Sequence, residues 1–437
     1  MPNWRTDHHA PLPRAFAWTP AWALACVALW PLPGPAEGVL ALGALAVLAL
    51  LAVALVRGQV LPLPGRAAAL ASVLFAAYWL PQLLSAPDAL DRARAWKEVA
   101  VDLRYLPFLW AVAIAAADAR GLQRIGTGLA LIVAVWSVDA LLQAASGTSA
   151  LFWSMDSLQR VAGGEGLCEV GAADRLSGVF GPCNLKLGLV LASLSPFALA
   201  AAARRFDVAG WCVAALVLGI TIVLAGARAA WLGYALVLAW AGWKTLGPRR
   251  LLGFAAAGAL AMAALYAASP QLQQRVARTA LAVQADAGGE GVDQALSGRT
   301  RIWQGALCMA RAHPLNGVGV RGFRSAWPHC DPAPEQAPAW GQGQAYHAHQ
   351  IVLELLSETG IAGLLLWLAG AFALWRAWRR AGVAARARAG PALLALAVTV
   401  FPFNTHLAFY STFWGGLTLL LAGLCAGALH GHHAREG

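Results

Sequence analysis

Residues 39–56 have the sequence VLALGALAVLALLAVALV, an uninterrupted apolar run. At about 1.5 Å per helical residue, a run of this kind crosses most of a hydrocarbon core about 30 Å thick. Similar runs recur along the 437 residues, of which 59% are hydrophobic and only 12% are charged. Short alternating strands of the membrane-barrel type are absent from the sequence. The sequence therefore predicts an all-α, polytopic membrane protein, because a helix satisfies its own backbone polar groups in lipid.

About twelve membrane-spanning helices are predicted from the apolar runs. They lie at residues 15–32, 39–56, 67–84, 101–117, 122–144, 184–202, 208–225, 229–243, 251–268, 351–375, 391–409 and 412–429. No small-residue cleavage site separates the first run from the second. We therefore expect the first run to remain as an anchor and not to be removed as a signal peptide.

Basic residues predict the orientation of these helices, since cytoplasmic loops carry an excess of lysine and arginine. With a cytoplasmic N-terminus, every second junction is basic. These junctions hold Arg57 and Arg66; Arg120 and Arg124; Arg204 and Arg205; Lys244, Arg249 and Arg250; and Arg376, Arg379, Arg380, Arg386 and Arg388. The net charge of +11 is therefore explained by topology and not by a basic face for nucleic acid. Both termini are predicted to be cytoplasmic.

The remaining junctions lie outside the cytoplasm in this orientation, and the longest of them is 269–350. Because long structureless loops are uncommon in compact proteins, we expect this one to form a small helical cap, with a helix at 296–312. The sequence thus predicts a transmembrane bundle of about nine helices (1–268), a loop domain (269–350), and C-terminal transmembrane helices with a short tail (351–437).

Four cysteines fall in the two large outward loops, and an oxidising compartment would allow disulfides there. Pairs such as Cys168 with Cys183 and Cys308 with Cys330 are possible, with connectivity left open. This side of the membrane has no nucleotide pool, and no Walker or dinucleotide-binding glycine pattern occurs in the sequence. Any reaction there must take its energy from the substrate.

Arg228 is the most anomalous charge, because it lies between two spans on the side where basic residues are disfavoured. It is either a snorkelling end-marker or a ligand for an anion in a cavity. Arg299 opens the predicted cap helix, with Trp303 four residues on and therefore on the same face. A guanidinium binds phosphate oxygens in a bidentate way, so Arg299 and the nearby Arg301 are candidate anion ligands. The alternative is a solvated helix start.

Arg175 is a further candidate contact for an anion. It lies beside Asp174, and a plain ion pair between the two is the alternative.

Two histidines, His347 and His349, precede the long apolar helix predicted from Ile351. Their spacing could serve zinc, but no further ligands of matching geometry follow. A helix N-terminus disfavours the imidazolium form, so His349 could act as a general base, with His347 supporting it. A structural, hydrogen-bonded histidine is the alternative.

Four short motifs occur in order and on the same predicted side of the membrane. They are Arg-Ala-Ala-Trp (228–231), Gly-Arg-Thr-Arg-Ile-Trp (298–303), His-Pro-Leu-Asn-Gly-Val-Gly (313–319), and His-Ala-His-Gln leading to Glu-Thr-Gly (347–360). Together they resemble the O-antigen ligase and polymerase superfamily over roughly residues 170–430. That family usually has asparagine where this chain has Gln350.

The resemblance implies a metal-independent, inverting glycosyltransferase without cofactors, in a bacterial inner membrane with its active site facing the periplasm. Its donor would be O-antigen on undecaprenyl diphosphate, and its acceptor would be the lipid A-core. The protein would also contact membrane lipids, and no nucleic acid is expected as a partner. Arg228 and Arg299 would hold the diphosphate, with Arg175 and Arg301 as further contacts, and His349 would be the base. An O-antigen polymerase and a protein O-oligosaccharyltransferase are the alternatives within the family, and a lipid-linked glycan transporter is the alternative outside it.

Overall fold

A computed structural model describes residues 12–58, 65–161, 163–168, 175–270, 273–274, 276–277, 298–336, 345–404 and 407–431. Within these ranges all regular structure is helical, with no strand. The helices are α1 Thr19–Ala28, α2 Pro33–Val56, α3 Gly65–Ser85, α4 Arg92–Asp102, α5 Tyr105–Ala117, α6 Ala119–Ser146, α7 Ala150–Val161, α8 Leu187–Leu224, α9 Arg228–Ala268, α10 Arg299–Ala312, α11 Phe323–Cys330, α12 Ile351–Arg380, α13 Val383–Thr399 and α14 Thr412–His430.

The predicted fold class is confirmed, since eight helical stretches of the described chain are long and apolar enough to cross a membrane. The predicted count of twelve differs from eight for two reasons. Two predicted pairs of spans are single helices, α8 and α9, each with a break in helical geometry, at Phe206–Asp207 and at Gly247. The predicted first and eleventh spans correspond to α1 and α13, which have only 10 and 17 residues.

The centre of the bundle is α14, which is buried over most of its length and packs against α3, α5 and α13. Small residues permit this packing. A Cβ at Gly427 would overlap the Ala113 carbonyl and the Ala116 side chain of α5. Residues from before 268 and from after 351 belong to one hydrophobic core, so both predicted transmembrane segments pack together.

Two helices in the segments predicted to face outward, α4 and α7, were not predicted. Neither is a continuous apolar run, because each carries charged residues along its length. The start of α4 is nevertheless typical of a helix, since the Asp91 carboxylate accepts a hydrogen bond from the Arg94 N–H (3.0 Å).

The loop domain predicted at 269–350 contains α10 and α11, joined by a turn at 313–322. These helices share a small core of their own, which includes Ile302, Met309, Phe323 and Trp327. The Cys308–Cys330 disulfide links the two helices, and a Cys168–Cys183 disulfide is present in the other large loop. Both suggested pairings are therefore present. The helix predicted at 296–312 corresponds to α10, which begins at Arg299 with Gly298 as its N-cap (φ 74°). Residues 296–297 lie outside the described ranges.

A break in α12 at Gly360 (φ 66°) joins this cap to the bundle. The N–H groups of Val318 and Gly319 donate to the carbonyls of Ser357 and Glu358 (2.8 and 3.0 Å). In return, the N–H groups after the break, at residues 361 and 362, donate to the carbonyls of residues 314 and 315 (2.9 and 3.2 Å). The His-Pro-Leu-Asn-Gly-Val-Gly motif is thus a turn, as its glycines and proline suggest, and it replaces the helical bonds that α12 loses.

The loop after α3 closes over the same turn. The Leu90 N–H donates to the Val318 carbonyl (3.0 Å), and the Asn316 side chain donates to Asp88 (2.9 Å). The Val320 N–H donates to the Ser85 hydroxyl (3.2 Å). Segments predicted to be on the outward side therefore contact one another, although they are more than 200 residues apart in sequence.

We predict that Gly317→Ala strongly lowers the thermal stability of the purified protein. Gly317 has a φ of 67°, and an added Cβ would overlap the backbone of Glu358 and Thr359. The control is Gly58→Ala, where φ is 61° but no atom lies within 4 Å of the added carbon. That control should cost only the left-handed strain of about 1–2 kcal/mol. Equal losses of melting temperature in the two variants would show that the close contact with α12 is unimportant.

Candidate active site

Arg228 is the first residue of α9 and lies at the reversal between α8 and α9. Gly226 makes this reversal with a φ of 69°, and its N–H donates to the Val223 carbonyl (3.0 Å). The indole Nε1 of Trp231 donates back to the Ile222 carbonyl at the end of α8 (3.2 Å). This bond fixes the first turn of α9, so it also fixes the position of Arg228.

Arg299 occupies the equivalent position in α10, as the first residue after Gly298. The indole Nε1 of Trp303, one turn later, donates to the Ala348 carbonyl between the two histidines (3.1 Å). Residues four apart lie on one helical face, so the face that carries Arg299 is the face held against the histidine loop. The spacing of Arg299 and Trp303 was recognised in the sequence, but the partner of Trp303 was not.

Arg175 lies at the start of a short strap that ends in a 3-10 turn, Gly178–Phe180. The side-chain oxygen of Gln143 accepts from the Gly178 N–H (2.7 Å), and its amide nitrogen donates to the Ser177 hydroxyl (3.3 Å). Gln143 therefore anchors the strap to α6. Asp174, the alternative partner considered for Arg175, lies outside the described residues.

The three arginines are close enough to act on one another electrostatically. Burial, together with the positive charges of Arg228 and Arg175, lowers the pKa of Arg299 to about 10. Two of these side chains also stand at the first residue of a helix, where the dipole is positive and a cation is disfavoured. Such an arrangement is costly without an anion. The N-termini and guanidinium groups together provide the donors that a diphosphate needs.

Arg301 points elsewhere. Its guanidinium forms a two-pronged ion pair with the Asp331 carboxylate (2.7 and 2.6 Å) and also donates to the Ala333 carbonyl (2.6 Å). The hydrogen bonds from Arg301 lower the pKa of Asp331. Of the four arginines suggested for the diphosphate, this one is held by the segment after α11, which gives it a structural role in the cap.

The two histidines lie against each other, with ring centroids 3.9 Å apart and ring planes at 42°. His349 is 4% exposed and has a φ of 55°, a backbone conformation that is uncommon for residues other than glycine. Gln350 is the N-cap of α12, and its side-chain oxygen accepts from the Leu353 N–H (2.7 Å). The helix therefore begins two residues after His349, as predicted. The sequence had left the role of Gln350 open, and it is a helix cap.

Two buried carboxylates on α12, Glu354 and Glu358, were not predicted to belong to this region. Each is 1% exposed. Glu354 accepts from the Tyr410 N–H (3.3 Å), and Glu358 accepts from the Arg321 N–H (2.7 Å). They thereby fasten the segment before α14 and the segment before α11 to the helix that follows the histidines. Their spacing of four within an apolar helix was the available signal.

Metal-binding geometry does not accompany the histidines in the described part of the chain. No group of three or more His, Cys, Asp and Glu side chains arranged to hold an ion occurs there. The described geometry consists of two imidazoles in contact and three arginines that act on one another, linked through the hydrogen bond between Trp303 and the Ala348 carbonyl.

Comparison with known proteins shows a similarity in the segment that holds most of these residues. Residues 213–368 match the family model described as O-antigen ligase, a segment that includes Arg228, Arg299, His347 and His349. The chain is also 34% identical over 89 residues to the exopolysaccharide production protein ExoQ of Rhizobium meliloti (strain 1021). That similarity covers 18% of this chain and 18% of the relative. The matched segment is thus similar to the O-antigen ligase family, the family that the ordered motifs resemble.

Proposed function

We propose that the protein is an O-antigen ligase that moves a polysaccharide from undecaprenyl diphosphate to a sugar hydroxyl of lipid A-core. The observation that carries this proposal is the hydrogen bond between Trp303 and the Ala348 carbonyl. It joins the helix that begins with Arg299 to the loop that holds the histidines. A diphosphate bound by the arginines would therefore lie beside a proton acceptor, which is the pairing that transfer from a lipid diphosphate requires.

In the proposed reaction, His349 takes the proton from the acceptor hydroxyl. The oxygen of that hydroxyl attacks the anomeric carbon of the donor glycan. The bond between that carbon and the diphosphate oxygen breaks, and its electron pair leaves with undecaprenyl diphosphate. Arg175, Arg228 and Arg299 stabilise the negative charge that develops on this leaving group. The acceptor oxygen attacks the face opposite to the diphosphate. This single displacement inverts the anomeric carbon, because the proposed reaction has no carboxylate nucleophile of the kind that retaining glycosidases use. His347 packs against His349 and supports its orientation.

The proposed location is the bacterial inner membrane, with the reaction on the periplasmic side. The alternating basic junctions of the sequence support this orientation. The donor would bring its own energy as a diphosphate ester, so neither a nucleotide nor a metal ion is needed in the proposal.

A polymer-forming activity is the second candidate. Its support is the partial similarity to a protein whose name is exopolysaccharide production protein. Donor and base would be the same as for the ligase, and the acceptor would be another lipid-linked glycan. A protein O-oligosaccharyltransferase would likewise differ only in its acceptor.

The deciding experiment uses purified full-length protein in detergent, a chelator, lipid-diphosphate-linked O-antigen and lipid A-core. We predict that glycan appears on lipid A-core with the chelator present, because no step requires a metal. Longer lipid-linked glycan would support a polymerase, and transfer to added protein would support the oligosaccharyltransferase. Absence of transfer to any acceptor would overturn the proposal in favour of transport.

We predict that His349→Asn lowers kcat by at least about 10²-fold, the contribution typical of a general base. Asparagine is chosen because it tolerates the left-handed backbone of His349 better than other residues. Donor binding, measured directly, should be largely retained. His329→Ala, an exposed histidine on α11, is the control and should keep full activity. Wild-type turnover in His349→Asn would remove His349 as the base.

Arg299→Gln and Arg301→Gln form a matched pair of variants. Loss of one charged hydrogen-bonding group should raise the donor KM about tenfold in Arg299→Gln. Arg301→Gln should instead lower the melting temperature with little change in donor KM, because its partner is Asp331. A larger rise of donor KM in Arg301→Gln than in Arg299→Gln would show that Arg301 belongs to the diphosphate site.

A further inference from the structure

A second group of arginines lies near the histidines and has no part in the proposed diphosphate site. It consists of Arg94 on α4, Arg321 in the segment before α11, and Arg324 on α11. The guanidinium carbon of Arg324 lies 4.6 Å from the centroid of the Tyr346 ring. Tyr346 is 44% exposed and directly precedes His347. The group thus reaches the histidine loop from α11, whereas Arg299 reaches it from α10.

The two groups of arginines are electrically distinct. The positive charges that act on Arg299 are those of Arg228 and Arg175. Those that act on Arg324 are Arg94 and Arg321, which together with burial lower its pKa. Tyr346 contacts Arg324, and the Ala348 carbonyl is held by Trp303 next to Arg299, so the loop 346–349 connects the two groups.

Acidic residues also lie around the second group. The Arg321 guanidinium lies 3.8 Å from the Glu98 carboxylate, and the Arg321 backbone N–H donates to Glu358. Glu354 also interacts electrostatically with Arg321, so nearby carboxylates partly balance the positive charge of this group. Among the described residues, the Nε atoms of Arg94, Arg321 and Arg324 are buried and make no hydrogen bond. Buried donors of this kind are costly unless a ligand pairs with them.

We propose that Arg94, Arg321 and Arg324 form a subsite for an anionic group of the acceptor, a phosphate or a carboxylate close to the sugar hydroxyl that is glycosylated. This inference rests on the proposed function. The donor diphosphate takes the first group of arginines, and the histidine removes the proton of the acceptor hydroxyl. A negatively charged acceptor therefore has to bind to a different part of the loop 346–349, and the second group of arginines lies there. Binding its anion there would bring the hydroxyl to His349.

The test compares Arg94→Gln and Arg324→Gln with Arg92→Gln, an exposed arginine on the same helix as Arg94. The KM for lipid A-core should rise about tenfold in the first two variants, the effect of losing one charge-assisted hydrogen bond. Donor KM and kcat should stay near the wild-type values, and Arg92→Gln should match the wild type throughout. Unchanged acceptor KM in both variants, or an equal rise in donor KM, would overturn the subsite.

Two modified acceptors identify the anion. Lipid A-core is treated with phosphatase in one arm and carboxyl-reduced in the other. The wild type should show a raised KM for the acceptor that lacks the bound group, and Arg324→Gln should cause no further rise with that acceptor. If Arg324→Gln weakens both modified acceptors as much as the native one, its role is to hold the fold and the proposal is wrong.

Direct binding of lipid A-core to the protein in nanodiscs separates this inference from the proposed function. Binding that weakens in Arg324→Gln, without any transfer by the wild type, would retain the anion subsite and overturn the ligase. Transfer by the wild type with the same acceptor affinity in every variant would retain the ligase and overturn the subsite.

Discussion

Exchange of backbone hydrogen bonds across Gly360 is the constraint on which the site depends. A helix that breaks inside a membrane protein exposes carbonyl and N–H groups, and lipid offers them no partner. Here the turn at 314–319 supplies those partners. The cap is therefore attached to the bundle by bonds that α12 would otherwise have made to itself. Since the same helix begins just after His349, the position of the histidine loop and the seating of the cap are set by one element.

Repulsion between the positive charges of the arginines opposes their close placement, so other contacts have to hold the helices that carry them. Arg228 and Arg299 each begin a helix, and each would gain by moving its charge away from the other and from the helix terminus. A tryptophan near the start of each helix opposes such movement. The indoles of Trp231 and Trp303 each donate a hydrogen bond to a backbone carbonyl of a neighbouring segment. Each indole bond is modest, but it is made by a large ring whose packing also opposes movement. The indole bonds thus hold the first turns of both helices, and with them the positions proposed for diphosphate binding.

Prediction from the sequence succeeded where the signal is local. Apolar runs indicate the all-helical membrane fold, which is confirmed. The roles of Arg228 and His349 stay predictions. Prediction failed where a partner is distant: Trp303 bonds a residue 45 positions away. Continuity of α8 and α9 was also missed, because basic junctions were taken as loops. One break depends on Gly247 and the other on Asp207 with a φ of 54°, and neither needs a loop.

The backbone conformation of His349 depends on contacts with both the cap and α12. A left-handed conformation costs about 1–2 kcal/mol outside glycine and persists only when neighbouring contacts fix it. On one side Ala348 is held by Trp303, and on the other Gln350 caps α12. Both contacts restrain the backbone on either side of His349. A base that sat within α12 would move with that helix alone. Because it precedes α12, His349 is positioned jointly by the cap and the bundle, so the proposed pairing of base and diphosphate site would require both to be assembled.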